Sequence, residues 1–142
     1  MGKDKNRIKV GVGAVILDKG KRILLLRRTS KTRNNHNKWA IPGGGVEFGE
    51  DRSVALKREI KEELGCDLII LNEIWTIDHA TEEQRWVATH YLCNPKGQIE
   101  NREPEKHDMI QYFSYEEAKK LDLSDFMPRL LEKLKEDGLF NK

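Results

Sequence analysis

The stretch GGVEFGEDRSVALKREIKEELGC, Gly44 to Cys66, decides the reading of this chain. A glycine-rich turn, Pro42 to Gly45, runs into a segment with helical periodicity. Asp51 stands where a helix N-cap belongs and Gly65 where a left-handed stop belongs, so the spacing predicts a helix ending at Leu64. Leu56, Ile60 and Leu64 recur one turn apart and supply a buried stripe. At about 100° per residue, Glu59, Glu62 and Glu63 fall within one narrow sector off that stripe, where solvent and a substrate have access. Three close anions repel, and each raises the cost of ionising the next. Such a face calls for a cation, and oxygen donors suit hard divalent ions, Mg2+ above all.

The spacing is specific. It runs Gly44, five residues, Glu50, seven residues, Arg58-Glu59, apolar Ile60, one residue, Glu62-Glu63, one residue, Gly65 and Cys66. With each residue type at roughly 5–7% usage, seven matches at set spacing arise by chance about once in 10^8 to 10^9 positions. The order resembles the signature of the Nudix hydrolases, and Pro42-Gly43, Glu47 and Gly49 fit its extended form. Cys66 stands where the signature has an aliphatic residue, and cysteine packs as a small hydrophobe. The signature covers about a sixth of the chain.

The resemblance implies an α+β chain with the Nudix fold, an α/β/α sandwich with a mixed β-sheet. It implies hydrolysis of a nucleoside diphosphate linked to another group, with Mg2+ as cofactor and Mn2+ as a substitute. Glu59, Glu62 and Glu63 would hold the metal, led by Glu59 and Glu63, which sit one above the other on a helix. Arg58 would pair with Glu50 and hold the glycine-rich loop against the helix. Gly43 and Gly44 would let the backbone approach metal and substrate closely.

The general base has several candidates. One is a box glutamate, Glu59 or Glu62. Others are Glu103 and Glu105 in the charged loop REPEKHD, of which Glu105 is favoured. Its segment EPEK, followed by an aromatic strand and a capped helix, looks like the nucleoside-triphosphate-cleaving branch of the family. Arg27 and Arg28 end a predicted strand, and an arginine there suits a bidentate grip on a terminal phosphate, Arg28 in preference. Lys31, Arg33 and Lys38 would add to that field. Trp39, Trp75 and Trp86 are read as packing residues before base-stacking ones. His36, His79, His90 and His107 lack zinc spacing and are read as structural or exposed.

The 142 residues, 35% charged and 37% hydrophobic, are read as one domain spanning 1–142 with a compact core. A net charge of only +2 gives no broad field for nucleic acid, so the expected partner is a nucleotide, with a homodimer open. Two cysteines, Cys66 and Cys93, without CxxC spacing read as reduced core thiols and point to the cytoplasm. The apolar run Val10 to Leu17 is too short to span a membrane.

Lys9–Asp18 and Arg22–Arg27, around the turn Lys19-Gly20-Lys21, are predicted as a hairpin. Further strands are expected at Trp39–Ile41, Leu68–Ile77, Trp86–Asn94 and Met109–Phe113. Short helices are expected over Tyr115–Leu121, opened by a Ser114/Glu117 capping box, and Phe126–Asp137. The leading activity is cleavage of a nucleoside triphosphate to monophosphate and pyrophosphate. The alternatives are an ADP-ribose or nucleotide-sugar pyrophosphatase, a 5′-RNA pyrophosphohydrolase disfavoured by the near-neutral charge, and a nucleotide-sensing module without turnover.

Overall fold

The computed structural model describes residues 8–29, 36–80 and 84–140. In chain order they form β1 (Ile8–Ile16), β2 (Ile23–Arg28), β3 (Trp39–Ala40), β4 (Gly43–Gly45), α1 (Arg52–Leu64), β5 (Asp67–Ala80), β6 (Arg85–Lys96), β7 (His107–Phe113), α2 (Tyr115–Ala118) and α3 (Met127–Glu136).

β1 and β2 are apolar on both faces, and that fixes the layering. Ala14, Ile16, Leu24 and Leu26 point to one side, against Leu56, Ile60 and Leu64 of α1. Val15, Ile23 and Leu25 point to the other, against Met127, Leu130, Leu131 and Leu134 of α3. Helix, sheet and helix therefore stack in three layers. Leu56, Ile60 and Leu64 are wholly buried, and each such side chain contributes about 1.5–3 kcal/mol of transfer free energy.

The strands form two sheets where the sequence suggests one mixed sheet. One has the order β4-β1-β6-β5, the other β3-β2-β7. The mixed character lies in the first, where β1 runs antiparallel to β4 and parallel to β6. The second is antiparallel throughout. The predicted β1–β2 hairpin is reduced to one bridge, Leu17 to Ile23, closed by the Asp18 N–H on the Arg22 carbonyl. The cause is competition for edges: β4 and β6 fill both edges of β1, and β3 and β7 fill both edges of β2.

The glycine triplet is a strand rather than a turn, with Gly43, Gly44 and Gly45 paired to Gly13, Val12 and Gly11. Gly65 takes φ 71° and ends α1, while Asp51 occupies the N-cap position without a side-chain cap bond. The Ser114/Glu117 capping box is formed. After β6 the chain returns to the end of α1, where the N–H groups of Glu100 and Arg102 donate to the carbonyls of Leu64 and Glu63. These bonds satisfy two carbonyls that a helix end leaves open. Cys66 and Cys93 are free and buried. Among the described residues no helix is long and apolar enough to cross a membrane.

Candidate active site

α1 meets β4 at van der Waals range because β4 carries no side chains. Glu63 Oε1 accepts the Gly43 N–H at 3.0 Å. A Cβ on Gly44 would stand only 1.7 Å from Glu59 Oε1. Glycine at 44 is thus what allows the Glu59 carboxylate to lie on the strand. The three glutamates do not share one wet face, as the helical wheel suggests. Glu63 is turned inward and 7% exposed, Glu59 is half-buried, and Glu62 is half-exposed.

Burial raises the Glu63 carboxyl well above the ordinary range, and Glu59 and Glu103 add to it, against the Gly43 N–H and Arg28. Burial also pushes Glu59 up to about 7; Arg58 opposes, and Glu62 and Glu103 reinforce the rise.

Arg58 ties this face together. Its Nε and Nη2 donate to the two oxygens of Glu50 at 2.8 and 2.9 Å. Nη2 also donates to the Gly45 carbonyl at 3.0 Å, and Nη1 to Glu59 Oε2 at 3.2 Å. Glu50 in turn accepts the Glu47 N–H at 2.9 Å. The Arg58 fork, with the Glu47 N–H behind it, holds Glu50 down to about 2 and hence ionised. One guanidinium thereby fixes the segment after β4 to the helix and orients Glu59.

A second carboxylate arrives from the loop before β7, and it is Glu103 rather than the favoured Glu105. The reason is a tight turn: the Glu103 carbonyl accepts the N–H groups of both Lys106 and His107. Asn101 locks the turn by accepting the Glu103 N–H and donating to the His107 carbonyl at 2.7 Å. Glu63, Glu103 and His107 come together, with one donor atom from each lying within 4.8 Å of the others. Glu105 is exposed, and its carbonyl accepts the Thr29 hydroxyl. His107, read from sequence as structural or exposed, is 6% exposed and faces Glu63, with Nε2 at 3.9 Å from Oε2. Burial, with Arg28 and Lys106 nearby, lowers its pKa to about 4. The four-residue step from Glu103 to His107 was the signal available in the sequence.

The two arginines of β2 part company at a bulge between Arg27 and Arg28. Arg27 engages Asp108 with both ends of its fork at 2.9 Å on the exposed side, away from the acidic cluster that Arg28 approaches. Arg28 lies opposite His107 in the β2–β7 register and near enough to Glu63 to act on its charge. Lys38 pairs with Asp122 at 3.4 Å. Lys31 and Arg33 lie outside the described residues. Trp39 is buried edge-on to Phe113, Trp75 and Trp86 are half-buried, and His90 stacks on Phe126 in the core.

The donor set fits a divalent cation. Glu63, whose carboxyl resists ionisation, Glu103 and the buried His107 imidazole converge on one spot, with Glu59 close enough to Glu63 to raise its pKa further. Glu59, Glu63 and Glu103 supply oxygens and His107 a nitrogen, and ionised carboxylates brought this close require a counter-charge.

Framework and site together define a class: three-layered proteins in which a glycine strand lies against an acidic helix. Within it the chain belongs to the NUDIX domain family, whose model matches residues 7–134. Among solved structures it is similar to a MutT NUDIX hydrolase from Burkholderia pseudomallei, with TM-score 0.82 and 32% identity over 91% of this chain and 99% of that one. It is 29% identical over 101 residues to the RNA pyrophosphohydrolase of Orientia tsutsugamushi (strain Boryong), covering 59% of this chain and 61% of that protein. It is 29% identical over 89 residues to the 8-oxo-dGTP diphosphatase of Proteus vulgaris, covering 63% of this chain and 78% of that protein.

Proposed function

We propose that this chain is a divalent-cation-dependent pyrophosphohydrolase that splits the diphosphate linkage of a nucleoside triphosphate, releasing monophosphate and pyrophosphate. The observation that carries this reading is the inward Glu63, held by the Gly43 N–H, beside Glu59 at Gly44 under the Arg58 fork. The MutT-type structural relative and the 8-oxo-dGTP diphosphatase support it.

Cleaving a phosphoanhydride needs charge neutralisation, a proton acceptor and held geometry. A bound Mg2+ or Mn2+ supplies the first as a Lewis acid on phosphate oxygens. Glu59 and Glu63 would hold it, and the Arg58–Glu50 pair keeps Glu59 in place. Arg28, at the end of β2, meets the outer phosphates. Glu62 takes the proton of the attacking water: its carboxylate is half-exposed, next to Glu59, and not anchored on the glycine strand.

A second reading, attack on the 5′-triphosphate end of an RNA, is favoured by the RNA pyrophosphohydrolase relatives. The net charge of +2 weighs against it, because tracking a phosphate backbone needs a basic stripe. One experiment separates the readings. The protein is incubated with Mg2+ or Mn2+ and a panel of nucleoside triphosphates, ADP-ribose, nucleotide-sugars and a 5′-triphosphorylated oligoribonucleotide, and products are identified by mass. Monophosphate plus pyrophosphate from free triphosphates supports the first; pyrophosphate from the oligonucleotide alone supports the second. Intact phosphoanhydrides throughout reject both.

A further inference from the structure

We propose that His107 joins Glu63 and Glu103 as a metal ligand, making a mixed oxygen/nitrogen site that prefers a transition-metal ion such as Mn2+ or Co2+ to Mg2+. The inference rests on the cation-binding part of the function proposed above and names a property of that same site.

Three observations carry it. First, one donor atom from each residue lies within 4.8 Å of the other two. Ligand atoms at about 2.1 Å from one ion stand about 3 Å apart when adjacent and about 4.2 Å apart when opposite, so small side-chain adjustments close the set. Second, the His107 ring faces the carboxylate without bonding to it. Nε2 stands 3.9 Å from Glu63 Oε2, beyond hydrogen-bond range, and Nδ1 is buried with no partner among the described residues. A buried imidazole normally finds partners for its nitrogens, and one that does not is costly unless something else occupies the lone pair. Third, the backbone aims these groups deliberately. The Glu103 turn and the Asn101 latch fix loop and β7 together, while the Arg102 N–H on the Glu63 carbonyl fixes the loop to α1.

An ion pair between His107 and Glu63 is the competing account, and at 3.9 Å between Nε2 and Oε2 the two groups stand too far apart for the hydrogen bond that a buried ion pair needs. Imidazole suits transition-metal ions, with affinity rising along the series from Mn2+ to Co2+, whereas Mg2+ keeps to carboxylate and water. Adding one nitrogen to a carboxylate set therefore lifts affinity along the transition series and leaves Mg2+ indifferent.

The test uses the full chain and the metal ions alone. Calorimetry with Mg2+, Mn2+ and Co2+ gives affinities, and pulsed electron paramagnetic resonance on the Mn2+ form, with and without 15N-labelled histidine, reports a nitrogen ligand directly. The expected result is tighter Co2+ and Mn2+ than Mg2+ and a histidine nitrogen coupling that His107→Gln abolishes. That variant should weaken Co2+ at least ~10-fold, the loss that removing even a supporting partner of a ligand produces. A bound Mn2+ without nitrogen coupling, or a coupling that survives in His107→Gln, overturns the inference. Should the variant fail to fold, the wild-type spectrum decides alone. No uptake of any ion also overturns it. The nucleotide panel is read separately, so turnover with Mg2+ and no nitrogen coupling sinks this inference and leaves the hydrolase standing.

Discussion

Gly44→Ala isolates one contact. The new methyl would stand 1.7 Å from Glu59 Oε1, 2.4 Å from its Cδ and 2.9 Å from Oε2. Carbon and oxygen do not approach much closer than about 3.3 Å, so Oε1 must retreat by roughly 1.5 Å. The atoms in the way belong to the end of a flexible side chain, and the backbone of β4 has no cause to move. The fold is therefore expected to survive, with a denaturation midpoint close to wild type. Catalysis is not: a misplacement of about 1 Å costs on the order of 10²-fold, or about 2.7 kcal/mol of barrier. Two neighbours calibrate the result. At Gly45 the nearest atom to an added Cβ is the Val10 carbonyl at 4.0 Å, so Gly45→Ala should be silent. At Gly43, with φ 154°, the Cβ would lie 2.1 Å from the Val12 carbonyl oxygen, so Gly43→Ala must disturb the β1–β4 pairing and lower stability. The assay is kcat on the best substrate of the panel, alongside urea denaturation of each variant. A Gly44→Ala protein with wild-type kcat would refute the reasoning, as would one that loses as much stability as Gly43→Ala.

Other variants probe the remaining contacts. His90 is buried and its pKa is lowered to about 4, against 6.5 unfolded. Its contribution is complete above pH 6.5, falls as pH drops toward 4 and is flat below, a loss of about 2 kcal/mol between pH 7 and 5. His107 adds a share of the same sign, while the raised carboxyls of Glu59 and Glu63 act oppositely, so the readout is the difference: measured by denaturation, His90→Phe should lose about 2 kcal/mol less stability than wild type between pH 7 and 5, and an equal loss would contradict this. Arg58→Ala strips Glu50 and the Gly45 carbonyl of their shared donor, and Arg58→Lys keeps charge without the fork; melting temperatures should rank wild type, Lys, Ala, and equal values would dismiss the clamp. Arg28→Ala should raise KM more than Arg27→Ala, whose fork is engaged by Asp108; the reverse order in steady-state kinetics would reassign the phosphate contact. Glu63→Gln keeps an acceptor for the Gly43 N–H and removes the charge. Because burial raises the Glu63 pKa, its unfavourable contribution grows as pH rises above the unfolded value. The metal-free variant should therefore be more stable than wild type at pH 7 and gain little at pH 4, while losing metal affinity; a destabilised variant at pH 7 would count against an uncompensated carboxyl.

What the sequence made legible was local. The stop at Gly65, the buried stripe of α1 and the capping box at Ser114 each depend on residues within one or two turns, and each is formed. The Arg58–Glu50 contact, which the family resemblance implied, is also formed. Pairings decided by distant competition did not read through. Nothing near Lys19–Lys21 says that β4 and β6 claim the edges of β1, so a hairpin was expected where two sheets diverge. Helical periodicity placed Glu59, Glu62 and Glu63 in one sector, but only the position of β4 makes Glu63 face inward and leaves Glu62 half-exposed. Glu103 and Glu105 differ in sequence by two positions and in placement by the direction of one turn. That direction depends on Asn101, whose two bonds are invisible to a motif.

Glu63 shows why these long-range features converge. Its carbonyl accepts the Arg102 N–H, so the main chain of this residue anchors the loop that carries Glu103. Its side chain accepts the Gly43 N–H, so the same residue anchors the glycine strand. The two bonds bring strand, helix and loop to one point and force a carboxyl into the interior beside Glu59, Glu103 and His107. A core would ordinarily place an apolar residue there, since a buried carboxyl without a counter-charge destabilises the folded state. Burial and the neighbouring Glu59 and Glu103 raise the cost of ionising Glu63, only the Gly43 N–H and Arg28 oppose it, and a cation from solution would relieve that cost. A stability cost at the residue that joins strand, helix and loop is the pattern expected where a fold serves binding, and the Glu63→Gln comparison measures that cost.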